Sequence, residues 1–244
     1  MTAQIRAELL KIRSTRTTVG LILGMVALIV LFTLLPGLLT HANGLASKEN
    51  QRELLAVSSV AGVFSALAGV LLVTSEYRFG TIRPTFLFNP ARSRVLAAKV
   101  VAGVMAGVVF GAVGEALAWA IGYPILAGRG ITFVLGTSDV LLLTVGGLAG
   151  VAVWGAIGAG LGTVVHNQVG AIISLLAVGF VVDNLLFGVV PSVGRFTPTR
   201  ASDALMGLRV EHLLSPGVGA ITLVAWAGAL ALAGIVLSVR QDVG

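Results

Sequence analysis

The sequence predicts an all-α integral membrane protein with six transmembrane helices and an amphipathic helix at its N-terminus. The first observation is composition: of 244 residues, 57% are hydrophobic and 11% are charged, and the mean hydropathy is +1.02. A soluble domain could not bury so large an apolar fraction, so most of the chain is expected to be solvated by lipid. The second observation is that the apolar residues form six runs, each able to cross a hydrocarbon core roughly 30 Å thick.

The N-terminal segment, residues 1–17, is predicted to be a helix that lies on the membrane surface. Ile5, Leu9 and Ile12 share one helical face, and the basic residues of the segment fall outside it. A basic amphipathic helix just before a span is typical of an interfacial anchor. The first span follows at 18–40, which contains no charged residue and is too long for a signal-peptide core.

Five further apolar runs complete one transmembrane domain, and two of them carry glycines spaced four residues apart. The predicted spans are 54–74, 100–126, 139–165, 169–190 and 218–239. The spaced glycines are Gly103, Gly107 and Gly111 in the third span and Gly158 and Gly162 in the fourth. Stripes of small residues let helices approach closely, so these glycines predict helix packing within or between subunits.

Three polar residues interrupt the predicted spans: Glu115 in the third, and Asp183 with Asn184 in the fifth. Ionisable side chains are costly inside a bilayer, so they are expected to face protein or water. One interpretation is that they line a translocation path or a proton-linked site, and the other is that they form interhelical hydrogen bonds. On a helix Asn184 points about 100° away from Asp183, which predicts that the two do not face the same partner.

The two longest connections are 75–99 and 191–217. The first sets five basic residues against one acid, and Pro84 is predicted to open a short helix over 84–88 that ends at Asn89-Pro90. In the second, Ser202 is predicted to cap a helix over 203–214.

Counting Lys and Arg residues gives the orientation. With the N-terminus inside, the inner segments hold ten basic residues and the outer loops hold six. The positive-inside rule then predicts that both termini are cytoplasmic, that 75–99 is a cytosolic segment and that 191–217 is an extracellular loop. The net charge of +6 is interpreted as this topology signal and not as a nucleic-acid surface.

The sequence lacks the common motifs for ATP binding, metal binding and nucleophilic catalysis. It contains no G-x-x-x-x-G-K-[ST] loop for ATP, no H-E-x-x-H metal motif and no G-x-S-x-G nucleophile. Without cysteine there is no thiol chemistry, and the three histidines lie on separate loops. We therefore expect no catalytic residues, no metal site and no cofactor in this chain, and an enzyme is not predicted.

The 75–99 segment resembles the signature of ABC-2 type permeases, the membrane subunits of bacterial ABC exporters. That signature is roughly E-x-x-x-G-T, a short helix, P-x-x-R and then a lysine that opens the next span. The matching residues are Glu76, Gly80, Thr81, Pro90, Arg94 and Lys99, with Arg92 between the last proline and arginine. The layout of an interface helix, six spans and a long loop between the last two is also similar.

The resemblance implies the transmembrane domain of a type-2 ABC exporter in the bacterial plasma membrane. It implies two permease copies, as a homodimer or heterodimer, above two separate ATP-binding subunits that hold ATP and Mg²⁺. The substrate would be a hydrophobic or amphipathic compound such as a drug, peptide antibiotic or lipid. The residues that the resemblance assigns to ATPase coupling are Glu76, Arg78, Gly80, Thr81, Arg83, Pro84, Phe86, Leu87, Phe88, Pro90, Arg92, Arg94 and Lys99.

Two other functions are left open by the residues themselves. A secondary transporter could move protons through Glu115 and Asp183, although no inverted repeat or proline-broken helix pair supports it. A membrane anchor or assembly factor could use the charged 75–99 segment without transporting anything.

Overall fold

The computed structural model describes residues 2–89 and 91–240; Pro90, one of the predicted coupling residues, lies outside the described residues. The described residues form helices, turns and loops, and no strand occurs among them. Six helices are long and apolar enough to span a membrane: Arg16–Leu39, Lys48–Arg78, Arg92–Gly128, Thr137–Val164, Gln168–Val189 and Pro216–Ser238. The prediction of an all-α membrane protein with six spans is thereby confirmed.

The helices are numbered here in chain order. The first seven are α1 (Thr2–Ser14), α2 (Arg16–Leu39), α3 (Ala42–Leu45), α4 (Lys48–Leu55), α5 (Ser59–Arg78), α6 (Ile82–Phe88) and α7 (Arg92–Gly128). The others are α8 (Thr137–Leu141), α9 (Gly147–Val164), α10 (Gln168–Leu176), α11 (Asp183–Val189), α12 (Pro191–Gly194), α13 (Pro198–Leu205) and α14 (Pro216–Arg240). A 3₁₀ turn joins α4 to α5, and π-helical segments join α8 to α9 and α10 to α11.

The second, third and fourth spans form the centre of the bundle. Their most apolar windows are 59%, 56% and 50% buried, against 17%, 11% and 11% for the first, fifth and sixth spans. Glycines make this centre possible because they let the backbones of α5, α7 and α9 touch. A Cβ on Gly103 would lie 2.6 Å from the carbonyl oxygen of Gly155, and one on Gly107 would lie 2.6 Å from that of Val151.

The other glycines of the two stripes also pack inside the chain. A Cβ on Gly111 would meet Leu148 Cδ1 at 2.9 Å, and one on Gly162 would meet Val73 Cβ at 3.0 Å. A Cβ on Gly158 would overlap the carbonyl oxygen of Ala66 in α5. The glycine stripes therefore serve helix packing within one subunit, which the sequence alone could not distinguish from packing between subunits.

Two connections between spans differ from simple loops. Residues 41–53 include α3 and most of α4, whose Gln51 and Arg52 are buried. The helix expected over 203–214 lies instead at Pro198–Leu205, because Pro198 is pre-organised for a helix's first turn. It ends early because Gly207 and His212 adopt φ values of 70° and 67°, outside the α-helical region.

Side-chain contacts define the two ends of the bundle. At the basic end, Lys11 of α1 contacts Glu76 of α5, and Arg92 of α7 donates to the carbonyl oxygen of Ser238 in α14. At the opposite, loop end, Arg52 contacts both Asp139 and the carbonyl oxygen of Gly207. The segments that were predicted to share one side of the membrane thus meet at the same end.

Candidate functional site at the basic end

The segment between α5 and α7 makes a turn and a short helix at the basic end. Gly80 has a φ of 69°, a left-handed conformation that glycine adopts without strain, and it lets the chain reverse after α5. The carbonyl oxygen of Thr81 accepts from the amide of Thr85 at 3.3 Å and from its hydroxyl at 2.9 Å. The helix begins at Ile82 instead of Pro84, so Pro84 is its third residue, where its missing N–H still costs no helical hydrogen bond.

The C-terminal end of α6 is fixed by Asn89. Its side-chain Nδ2 donates to Gln4 Oε1 at 2.9 Å, and its Oδ1 accepts from the backbone amide of Ala91 at 3.2 Å. The backbone of Asn89 is extended, with φ −134° and ψ 93°, as expected for the residue before a proline. Asn89 therefore ties α6 to the N-terminal helix α1.

The apolar residues of α6 divide between the protein interior and solvent. Phe86 is buried and packs with Ile82, Val95 and the partly buried Tyr77. Leu87 and Phe88 are 82% and 93% exposed. Of these three residues, which the resemblance assigns to ATPase coupling, Phe86 thus packs inside the chain against α7, and only Leu87 and Phe88 are open to a partner.

Arginines of the segment have different environments. The guanidinium of Arg92 lies 5.4 Å from the ring centroid of Phe86 and donates to the Ser238 carbonyl oxygen at 3.0 Å. Arg78 lies beside Gln168 at the start of the fifth span, with 3.4 Å between Nη1 and Oε1. Arg83 and Arg94 are exposed. Arg92 thus connects α6 and α7 to the end of the sixth span.

A buried ionic cluster of Glu8, Lys11, Glu76 and Lys99 lies next to this segment. Lys99 Nζ is 2.7 Å from Glu76 Oε1 and 2.9 Å from Glu8 Oε1. The side chains of Lys99, Glu8 and Glu76 are 0%, 2% and 5% exposed, whereas that of Lys11 is 49% exposed and contacts both acids. Burial lowers the pKa of Lys11, but its hydrogen bonds and charge interactions with Glu76 and Glu8 outweigh this and raise that pKa.

The cluster joins α1, α5 and α7, and two of its four residues were predicted from the sequence. Glu76 and Lys99 were predicted coupling residues, and the structure brings them into contact. Glu8 and Lys11 were missed as site residues. One feature of the sequence could have indicated Glu8: it is the single acid before residue 49, in an otherwise basic helix. Because two acids face two lysines, the charges of the whole cluster balance, with Lys11 at its half-exposed edge.

The turn between the fourth and fifth spans reaches the same end. The ring of His166 lies 4.3 Å from that of Tyr77, centroid to centroid. Burial lowers the pKa of His166, against an opposing hydrogen bond with the Thr163 backbone. The neutral imidazole that this favours suits packing against an aromatic ring.

The polar residues of the spans lie in two environments. Glu115 is 5% exposed and therefore faces the interior of the described chain rather than lipid. Asp183 accepts from the Thr199 amide at 3.1 Å, and Asn184 Oδ1 accepts from Arg200 at 2.7 Å. Asp183 and Asn184 therefore contact different residues, Thr199 and Arg200, both of which lie in the first turn of α13.

A cavity of about 220 Å³ lies between the first, second, fourth and fifth spans and α13. Its walls are mostly apolar and include Phe32, Phe64, Trp154 and Phe180. Polar atoms come from one side, where α13 contributes Thr199, Ser202 and Asp203 and α5 contributes Ser59. Burial raises the pKa of Asp203 to about 6 despite its ion pair with Arg200.

Comparison with known proteins does not identify this chain. No protein-family model matches the sequence, and no curated protein matches it significantly.

Proposed function

We propose that this chain is the membrane-spanning permease subunit of an ATP-driven exporter in the bacterial plasma membrane, with both termini cytoplasmic. It forms the translocation path with a second permease copy, and α6 docks on separate ATP-binding subunits that hold ATP and Mg²⁺. The observation that carries the proposal is α6 itself, a short helix outside the spans with one aromatic ring anchored inward and two apolar side chains exposed at its tip. An apolar tip in water usually marks a contact.

The contacts of α6 support a mechanical role. Phe86 packs on Val95 of α7, Asn89 bonds to α1, and Arg92 bonds to the end of α14. A displacement of α6 by a bound ATPase would therefore be transmitted to α1, α7 and α14 together. The contact between Lys99 and Glu76 joins α7 to α5, so α5 and α7 would move with α6 as one body.

The cavity supports the substrate class. An apolar cavity with a few polar atoms at one side is suited to a hydrophobic or amphipathic compound that enters from the bilayer. Asp183, the acid that a proton-coupled transporter would require in the fifth span, already accepts a backbone hydrogen bond from α13. This contact favours a structural role for Asp183 and weakens the secondary-transporter alternative.

The experiment uses a double variant that carries both Leu87→Asp and Phe88→Asp. Its control is Val193→Asp, which changes an exposed apolar residue at the loop end. The tagged chain is purified from its native membranes, and co-purified P-loop ATPase and ATP hydrolysis are measured. Burying two such side chains is worth about 1.5–3 kcal/mol each, so the double variant should lose at least tenfold in ATPase yield. The control should retain it. A double variant that keeps the wild-type yield would contradict docking through α6.

A further inference from the structure

A second groove lies at the basic end, between α1, the first span and the second span. Its volume is about 170 Å³. Two cations, Lys11 and Arg78, line it together with the hydroxyl groups of Thr15, Thr17, Thr18 and Ser75. Leu21, Leu71 and Leu72 line the rest with apolar surface. The groove shares no lining residue with the apolar cavity near α13. It adjoins a more open cavity that shares Lys11, Thr15, Ser75 and Phe79 with it and extends to Phe88 of α6.

The lining of the groove changes from polar to apolar along the axis of α5, starting from the C-terminal end of that helix. Arg78 ends the helix, Ser75 lies one turn below it, and Ala68 lies ten residues from Arg78, about 15 Å along the helix axis. The cations and hydroxyls therefore lie where a span leaves the hydrocarbon core, and the leucines lie within its depth. That order of polarity is the order of a phospholipid, from headgroup to acyl chain.

The charge at the polar end is positive. No Asp or Glu lines the groove. The nearest acids, Glu8 and Glu76, are matched in number by Lys11 and Lys99, so Arg78 supplies the net positive charge. Arg78 is exposed, and its guanidinium lies 5.6 Å from the ring centroid of Phe79 and 3.4 Å from Gln168. Gln168, which also lines the groove, adds an amide donor for phosphate oxygens.

We propose that this groove binds one anionic phospholipid. Its phosphate lies against Arg78, Lys11 and the hydroxyl of Ser75, and one acyl chain lies on the leucines. The lipid bridges α1 and α5 on the side of α1 that faces the bilayer, while the ionic cluster joins the same helices inside the protein. A site built this way would couple the position of α1 to the presence of acidic lipid.

The test uses the full chain in detergent with native mass spectrometry, titrated with phosphatidylglycerol or phosphatidylcholine. Phosphatidylglycerol should be retained preferentially, and Arg78→Gln should weaken its binding about fivefold, the effect of one basic residue near an acidic lipid. Arg78→Lys should restore most of the affinity because it keeps the charge. Arg94→Gln, an exposed arginine of the same end that does not line the groove, is the matched control.

Three outcomes would overturn the proposal. One is equal binding of phosphatidylcholine and phosphatidylglycerol. Another is an affinity for phosphatidylglycerol that Arg78→Gln leaves unchanged or that Arg94→Gln lowers equally. The third is displacement of the lipid by millimolar inorganic phosphate, which would assign the groove to a free anion instead of a lipid.

Discussion

Replacement of Lys99 by methionine should destabilise the fold by about 3–5 kcal/mol, the cost of removing one partner from a buried ion pair. Lys99 is fully buried, and its ammonium group lies 2.7 and 2.9 Å from two acids that are themselves buried. Methionine keeps most of the apolar stem, so little of this cost arises from lost packing. Glu8 and Glu76 would be left to share Lys11, whose side chain is half exposed.

A double-mutant cycle isolates the ionic contribution. Glu76→Gln removes one acid and should also be destabilising, but the variant with both Glu76→Gln and Lys99→Met should cost less than the sum of the two single changes. The difference should be about 0.5–3 kcal/mol, the range for residues in one network. Arg94→Gln is the control, because it removes an exposed charge one turn earlier on α7 and should stay within about 0.5 kcal/mol of wild type.

The assay is reversible denaturant unfolding in mixed micelles, followed by far-UV circular dichroism. The reasoning would be refuted if Lys99→Met cost less than about 1 kcal/mol, or if the cycle were additive within error. Either result would mean that water or lipid headgroups, and not the buried partners, solvate Glu8 and Glu76.

Two further predictions concern the helix packing and the α13 region. Gly158→Ala should destabilise by about 1–3 kcal/mol, since its Cβ would overlap the Ala66 backbone, whereas Gly228→Ala, with open space around its Cβ, should be neutral or stabilising in the same unfolding assay. Burial raises the pKa of Asp203 to about 6, so its contribution to stability is present below about pH 4 and is lost as the pH rises to about 6. Asp203→Asn should reduce the slope of thermal stability against pH across this interval. Glu211→Gln, which changes an exposed acid of the same loop, should leave that slope unchanged. An unaltered slope in Asp203→Asn would contradict the burial of its charge.

The six spans could be predicted because uncharged runs of the right length leave the chain few alternatives in lipid. Their ends could not, because α7 continues past the hydrocarbon core: with its backbone hydrogen bonds made internally, a helix of 37 residues extends into the polar region at little cost. The inward direction of the Phe86 side chain depends on α6 beginning at Ile82, two residues before Pro84, which was predicted to open this helix.

The contacts within the candidate site could not be predicted from the sequence. The charge density of 75–99 drew attention to this segment, and its Glu76 and Lys99 are in contact in the structure. The contact of Lys99 with Glu8 joins residues 91 positions apart, and it depends on how α1 is rotated over α5 and α7. Periodicity placed Ile5, Leu9 and Ile12 on the apolar face of α1, but it gave no partner for the acid beside that face.

A photo-crosslinking amino acid in place of Phe88 tests most directly whether the tip of α6 touches an ATPase. The side chain is 93% exposed, so the substitution should not disturb the fold, and Val193 at the loop end provides a matched position. After irradiation of intact cells, position 88 should give one adduct with a soluble protein that carries a P-loop, and position 193 should not. Adducts at position 88 with lipid alone, or with the same products as position 193, would contradict the claim.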